Sequence, residues 1–114
     1  PPKQLRGNLV QMAALARKAG AQPILFQMRI PSNYGPAYAD GFFESFRRVA
    51  RQYQAPLVPF FLASLLDQPG MFQDDGIHPT VEAQARLLDA AWPTLDALLR
   101  ESKPARAANI ITTP

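Results

Sequence analysis

PILFQMRIP, residues 23–31, reads as a strand buried on both faces. Ile24, Leu25 and Phe26 form an apolar run, Met28 and Ile30 extend it, and a proline stands at each end. About seven residues between two breakers suits a strand and is short for a helix. Apolar character on both faces marks a parallel strand with helices above and below it. The spacing predicts a strand over Ile24–Ile30. A second run, APLVPFF (residues 55–61), predicts a strand over Leu57–Phe60, with Pro59 near its end because proline withholds one ladder donor.

Amphipathic stretches flank both runs. In QLRGNLVQMAALARKAG (residues 4–20), Leu5, Leu9, Met12 and Leu15 share one helical face, and Gly20 follows the basic pair Arg17 and Lys18. This predicts a helix from about Lys3 to Ala19. SNYGPAYAD (residues 32–40) carries turn residues and reads as a loop. DGFFESFRRVARQY (residues 40–53) places Phe42, Phe46, Val49 and Tyr53 on one face, widened by Phe43 and Ala50, and turns Arg47, Arg48 and Arg51 away from it. LASLLDQPGMFQDDGIHP (residues 62–79) is a connection with a short helical turn around Ser64–Leu66. A last helix is expected from about Thr80 to Arg100, with Thr80 as N-cap and Glu82 in the first turn. Its buried face would be Leu88, Ala91, Leu95 and Leu98, with Leu87 and Trp92 beside it, and Pro93 should kink or split it after Trp92. Residues 101–114 show no usable period and are expected to be irregular.

Helix, strand, helix, strand, helix is the order of an α/β fold with a parallel sheet and right-handed crossovers. The 114 residues suffice for one small domain. Two apolar strands make a very small sheet, however, and its open edge calls for further strands. The strand at Ile24–Ile30 is therefore expected to pair on one side with Leu57–Phe60 and on the other with a strand outside this chain.

Apolar residues make up 47% of the chain and charged residues 18%, a globular balance rather than a disordered one. No apolar run is long enough for an integral membrane segment. PPKQLRGNL lacks the apolar core of a signal peptide. The net charge of +3 comes from scattered basic residues without interleaved aromatics, so no nucleic-acid partner is expected. With no cysteine and the single histidine His78, neither a disulfide nor a metal site is expected.

That histidine stands in Asp74-Asp75-Gly76-Ile77-His78-Pro79-Thr80, after the second strand and before the last helix. Active groups of open α/β sheets gather beyond the C-terminal strand ends. A turn at Gly76 could bring a carboxylate to the imidazole, holding one ring nitrogen as a donor and leaving the other as a base. The residues alone favour a solvated surface turn over that arrangement, and leave open whether Asp74 or Asp75 stands near the ring.

DGIHP resembles the D-x-x-H-P block of the SGNH (GDSL-type) serine hydrolases. PILFQMRIPSNYGPAY resembles the fourth strand and following loop of their periplasmic acyl-thioesterase, lysophospholipase and arylesterase branch. APLVPFFL resembles the fifth strand, and HPTVEAQARLLDAAWPTLDALL the C-terminal helix. The resemblance spans residues 1–100 and implies the C-terminal part of a three-layer α/β/α, flavodoxin-like fold. It further implies that His78 is the general base of a Ser-His-Asp triad and Asp75 its orienter. Arg29, Ile30, Pro31, Asn33 and Tyr34 would then lie on the loop lining the acyl site. The implied reaction is hydrolysis of an acyl ester or thioester without a cofactor, in the periplasm or after secretion.

The family's G-D-S-L nucleophile block is absent, as are the Gly and Asn blocks that supply oxyanion donors. Ser32, Ser45, Ser64 and Ser102 do not sit in Gly-flanked nucleophile turns. The nucleophile is expected from a complementary N-terminal half, and this chain alone is expected to be inactive. The alternatives are a non-catalytic α/β interaction module derived from a hydrolase, and an SGNH carbohydrate acetylesterase.

Overall fold

The computed structural model describes residues 1–108. Helix α1 spans Pro2–Lys18, strand β1 Leu25–Phe26, α2 Pro36–Gln52, β2 Leu57–Val58 and α3 Gln84–Ala108. Two 3₁₀ turns, Ser32–Tyr34 and Phe61–Leu65, follow the strands. The strands are parallel, with Leu25 opposite Leu57 and Phe26 opposite Val58. The mixed α/β architecture and its small parallel sheet are as the sequence leads one to expect.

Both strands are shorter than the apolar runs that announce them. Pro59 has no N–H to continue the ladder, so β2 stops at Val58. The ladder on β1 ends with the Gln27 N–H donating to the Val58 carbonyl at 2.9 Å. Of the expected strands, Ile24, Gln27–Ile30 and Pro59–Phe60 lie outside β1 and β2. The other edge of β1 has no partner strand among the described residues.

Leu25 joins Val49, Ala50 and Ala55 in one buried cluster, against which Leu9, Val10, Tyr53 and Leu57 pack. Thus α1 and α2 cover the Leu25–Leu57 face, and the pleat turns Phe26 and Val58 to the other side. A second cluster, Leu65, Ala83 and Leu87, ties α3 to the 3₁₀ turn after β2. Gly41 lets the helices meet closely: a Cβ there would stand 3.2 Å from Pro2 Cγ. Beside it, the buried Ser45 hydroxyl donates to the Gly41 carbonyl at 2.6 Å.

The expected buried faces shift in two helices. On α1, Met12 and Leu15 are 57% and 61% exposed, and Ala13 is the buried residue. On α3, Leu87 and Ala91 are buried while Leu88 and Trp92 are exposed. A two-stranded sheet is too narrow to cover a full helical stripe. Of the uncovered residues, Met12 and Trp92 each border an apolar groove that reaches Ile24. One groove, of about 330 Å³, runs between β1 and α1 past Met12 and Phe46. The other, of about 500 Å³, lies between Ile24 and α3 at Trp92, Leu95 and Leu99.

Two boundaries also move. α2 begins at Pro36 and so takes in the end of the expected loop; Gly35, at φ 90°, turns the chain into it, and proline suits a first helical position that needs no donor. α3 begins at Gln84, leaving Glu82 ahead of the helix, and passes through Pro93 without splitting. Pro93 is exposed, so water can serve the carbonyl whose helical donor it removes. The same helix continues to Ala108, correcting the expectation of irregular chain over residues 101–108. Alanine is the strongest helix former, and Arg100 pairs with Asp96 at 2.8 Å one turn earlier. Residues 109–114, also assigned to the irregular tail, lie outside the described residues.

Candidate active site

Residues 71–80 form a closed turn between the two ends of the Leu65 cluster. The Thr80 N–H donates to the Met71 carbonyl at 2.9 Å and the Gln73 N–H to the His78 carbonyl at 2.8 Å. Phe72 and Pro79 face each other as an isolated antiparallel bridge. Thr80 is not the N-cap of α3. Its hydroxyl donates to the Gly70 carbonyl at 3.2 Å and so helps close the base of this turn.

At the tip, Gly76 adopts φ 69°, a conformation that side chains with a Cβ rarely take. The reversal lets Asp75 fold onto the residues that follow. Its Oδ1 accepts from the Ile77 N–H at 2.9 Å and the His78 N–H at 3.0 Å. Its Oδ2 lies 2.6 Å from His78 Nδ1. The His78 main-chain N–H holds the Asp75 carboxyl down most strongly; with the His78 ring and the Ile77 N–H it brings the pKa from 3.8 to about 2. Asp75, and not Asp74, is therefore the carboxylate on the ring. With Nδ1–H donating to Asp75, Nε2 keeps a free lone pair and can accept a proton. The His78 side chain is 71% exposed, so Nε2 is open to another group.

None of the serines with a described side chain serves that nitrogen. Ser45 is buried between α1 and α2, Ser64 donates to the Phe61 carbonyl at 3.0 Å, and Ser102 donates to the Leu99 carbonyl at 3.0 Å.

The loop after β1 leaves the same end of the sheet as the loop leading to His78, because the strands are parallel. Phe26 and Phe61 meet edge to face at that end, with centroids 5.3 Å apart. Arg29 is exposed and lays its guanidinium 4.0 Å over the Phe43 ring. Ile30 is half-buried, whereas Pro31, Asn33 and Tyr34 are exposed. Tyr34 stacks on Tyr38 at 5.4 Å. Among the described residues, no hydrogen bond or ion pair joins this loop to Asp75 or His78. Sequence reading passed over Gln73 and Tyr38, and took Phe43 only as widening the apolar face of α2. Their contacts cross turns and helix faces, and no local pattern marks them.

A parallel α/β sheet with an Asp–His pair beyond its strand ends has that pair where open α/β folds gather their reactive groups. No protein-family model matches the chain. The esterase TesA of Pseudomonas aeruginosa is 48% identical over 98 residues, covering 86% of this chain and 49% of that protein. Thioesterase 1/protease 1/lysophospholipase L1 of Escherichia coli K12 is 38% identical over 88 residues, covering 77% and 42%. Among solved structures, TesA superposes with a TM-score of 0.78 at 47% identity, over 86% of this chain and 54% of that one. AlinE4, an SGNH-hydrolase family esterase, gives 0.61 at 33% identity, over 87% and 52%. This chain belongs to the SGNH hydrolases and represents the C-terminal part of their α/β/α domain. It spans about half the length of the curated relatives it matches.

Proposed function

We propose that this chain is the base-bearing half of a serine esterase or acyl thioesterase, with residues 1–100 forming the C-terminal half of the catalytic domain. The carrying observation is the 2.6 Å approach of Asp75 Oδ2 to His78 Nδ1, which leaves Nε2 free. The nucleophilic serine comes from the complementary N-terminal half. His78 Nε2 takes the serine proton as the hydroxyl attacks the acyl carbonyl. Main-chain and side-chain donors of that other half hold the oxyanion. Asp75 remains ionised and stabilises the imidazolium. His78 then protonates the leaving alcohol or thiol, and water, deprotonated by the same nitrogen, releases the acid. No cofactor takes part. Arg29, Ile30, Pro31, Asn33 and Tyr34 line the acyl site from the loop after β1.

The unpaired edge of β1 and the grooves beside it suit docking of the missing half-domain, whose strand would complete the sheet. Among the described residues, no helix is long and apolar enough to cross a membrane. By family resemblance the whole protein works in the periplasm or outside the cell. The test is turnover of p-nitrophenyl butyrate and an acyl thioester by the complete polypeptide. His78→Ala should reduce kcat by about a thousandfold or more at unchanged fold. Wild-type-like turnover in that variant would overturn the assignment.

A further inference from the structure

In the proposed reaction Nε2 of His78 must point at the nucleophile, and whatever fixes the main chain at His78 and Pro79 fixes that direction. One residue grips this segment twice. The Gln73 N–H donates to the His78 carbonyl at 2.8 Å. The Gln73 side-chain Nε2 donates to the Pro79 carbonyl at 3.2 Å. Among the described residues no other hydrogen bond reaches that carbonyl. The Gln73 carbonyl in turn accepts from the Gly76 N–H at 2.8 Å, at the tip that folds Asp75 back. Gln73 thus connects the limb that carries Asp75 to the limb that carries His78.

The two limbs are otherwise joined at the base by Thr80 and at the tip by Asp75 itself. Between these ends, the Gln73 amide is the side chain that resists twisting of the His78–Pro79 peptide. A twist there would swing the ring about Cα, lengthening the Nδ1–Oδ2 contact and turning Nε2 aside. We propose that Gln73 is a positioning residue for His78, its amide holding the His78–Pro79 main chain so that Nδ1 stays on Asp75 and Nε2 keeps its aim. This rests on the hydrolase reading above for its effect on turnover, but not for its effect on the ring.

Two substitutions separate donation from bulk. Gln73→Glu keeps the shape but, when ionised, offers no donor and repels the Pro79 carbonyl. Gln73→Lys keeps a donor of similar reach. The experiment uses the complete polypeptide with ¹⁵N-labelled histidine, His78 being identified by the signals missing from His78→Ala. In the wild type the ring should show a hydrogen-bonded Nδ1–H and a bare Nε2. In Gln73→Glu the Nδ1–H signal should broaden or vanish, and kcat should fall roughly threefold to tenfold, the effect of one lost hydrogen bond, with KM changed less than about twofold. Gln73→Lys should restore both. An unchanged Nδ1–H signal in Gln73→Glu overturns the proposal, whether or not kcat falls. So does failure of Gln73→Lys to recover the signal while the unfolding midpoint is wild-type. If the wild type turns over neither ester nor thioester, the functional reading fails, while the ring signals still decide the role of Gln73.

Discussion

Leu65→Ala tests whether one small cluster anchors both α3 and the His78 turn. Leu65 is 0% exposed and packs with Ala83, itself 0% exposed, and Leu87. Phe61, Leu62, Met71 and Phe72 lean on the same cluster. Truncation removes the isopropyl group from this contact. At roughly 0.8 kcal/mol for each buried carbon removed, the transfer part is about 2–2.5 kcal/mol. A rigid site would add a cavity penalty and reach about 4–5 kcal/mol. Here the half-buried Phe61 and Met71 have room to collapse inward, which favours the lower part of that range. The expected loss is about 2–3 kcal/mol, a large share of a stability of about 5–15 kcal/mol. Urea unfolding of the complete protein, followed by circular dichroism, measures it as a lower midpoint at unchanged slope. Because Met71 and Phe72 open the turn, amide exchange at Ile77 and His78 should accelerate as well. A loss below about 1 kcal/mol would refute the anchoring argument, since no buried leucine in a well-packed site is removed so cheaply. A full loss with unchanged exchange at His78 would refute the link to the turn.

Other perturbations separate the remaining claims. Asp75→Ala should lower kcat of the complete enzyme far more than Asp74→Ala, since only Asp75 touches the ring; equal losses in variants checked for folding would reverse the assignment. The Asp75 carboxyl, followed by ¹³C NMR, should titrate near 2. Its value is depressed in the folded turn, so its contribution to stability is full above the ordinary value of 3.8 and disappears as the pH falls through about 2; a midpoint near 3.8 would show that the turn's donors do not act as described. Gln54, just past the α2 C-cap Tyr53, adopts φ 48°, with its carbonyl and that of Tyr53 accepting from Arg17, so Gln54→Gly should stabilise the protein by about 1 kcal/mol, as a rise in the urea midpoint. Residues 1–114 alone should not hydrolyse a chromogenic acetyl or butyryl ester, because the proposed nucleophile and oxyanion donors belong to the other half, nor stay monomeric by light scattering, because among the described residues the outer edge of β1 has no partner strand. Monomeric, serine-inhibitor-sensitive turnover would oppose both expectations.

Local pattern determined much of this protein. Two apolar runs bounded by prolines fixed which segments become strands, and the spacing of Phe46 and Val49 fixed the face of α2 that packs inward. Glycine between Asp75 and His78 made a tight turn readable, because few other residues reverse the chain there. Tertiary structure decided the rest. Strand length depends on the donors a neighbour offers, so β1 and β2 are cut to the residues that can pair. Which leucines are buried depends on how wide a sheet lies beneath the helix, and that placed Leu87 inside and Leu88 outside. Thr80 has the chemistry of an N-cap, but its hydroxyl met the Gly70 carbonyl first. The choice of Asp75 over Asp74 likewise follows from backbone direction at Gly76, which sends one carboxylate back to the ring and leaves the other without a contact to it.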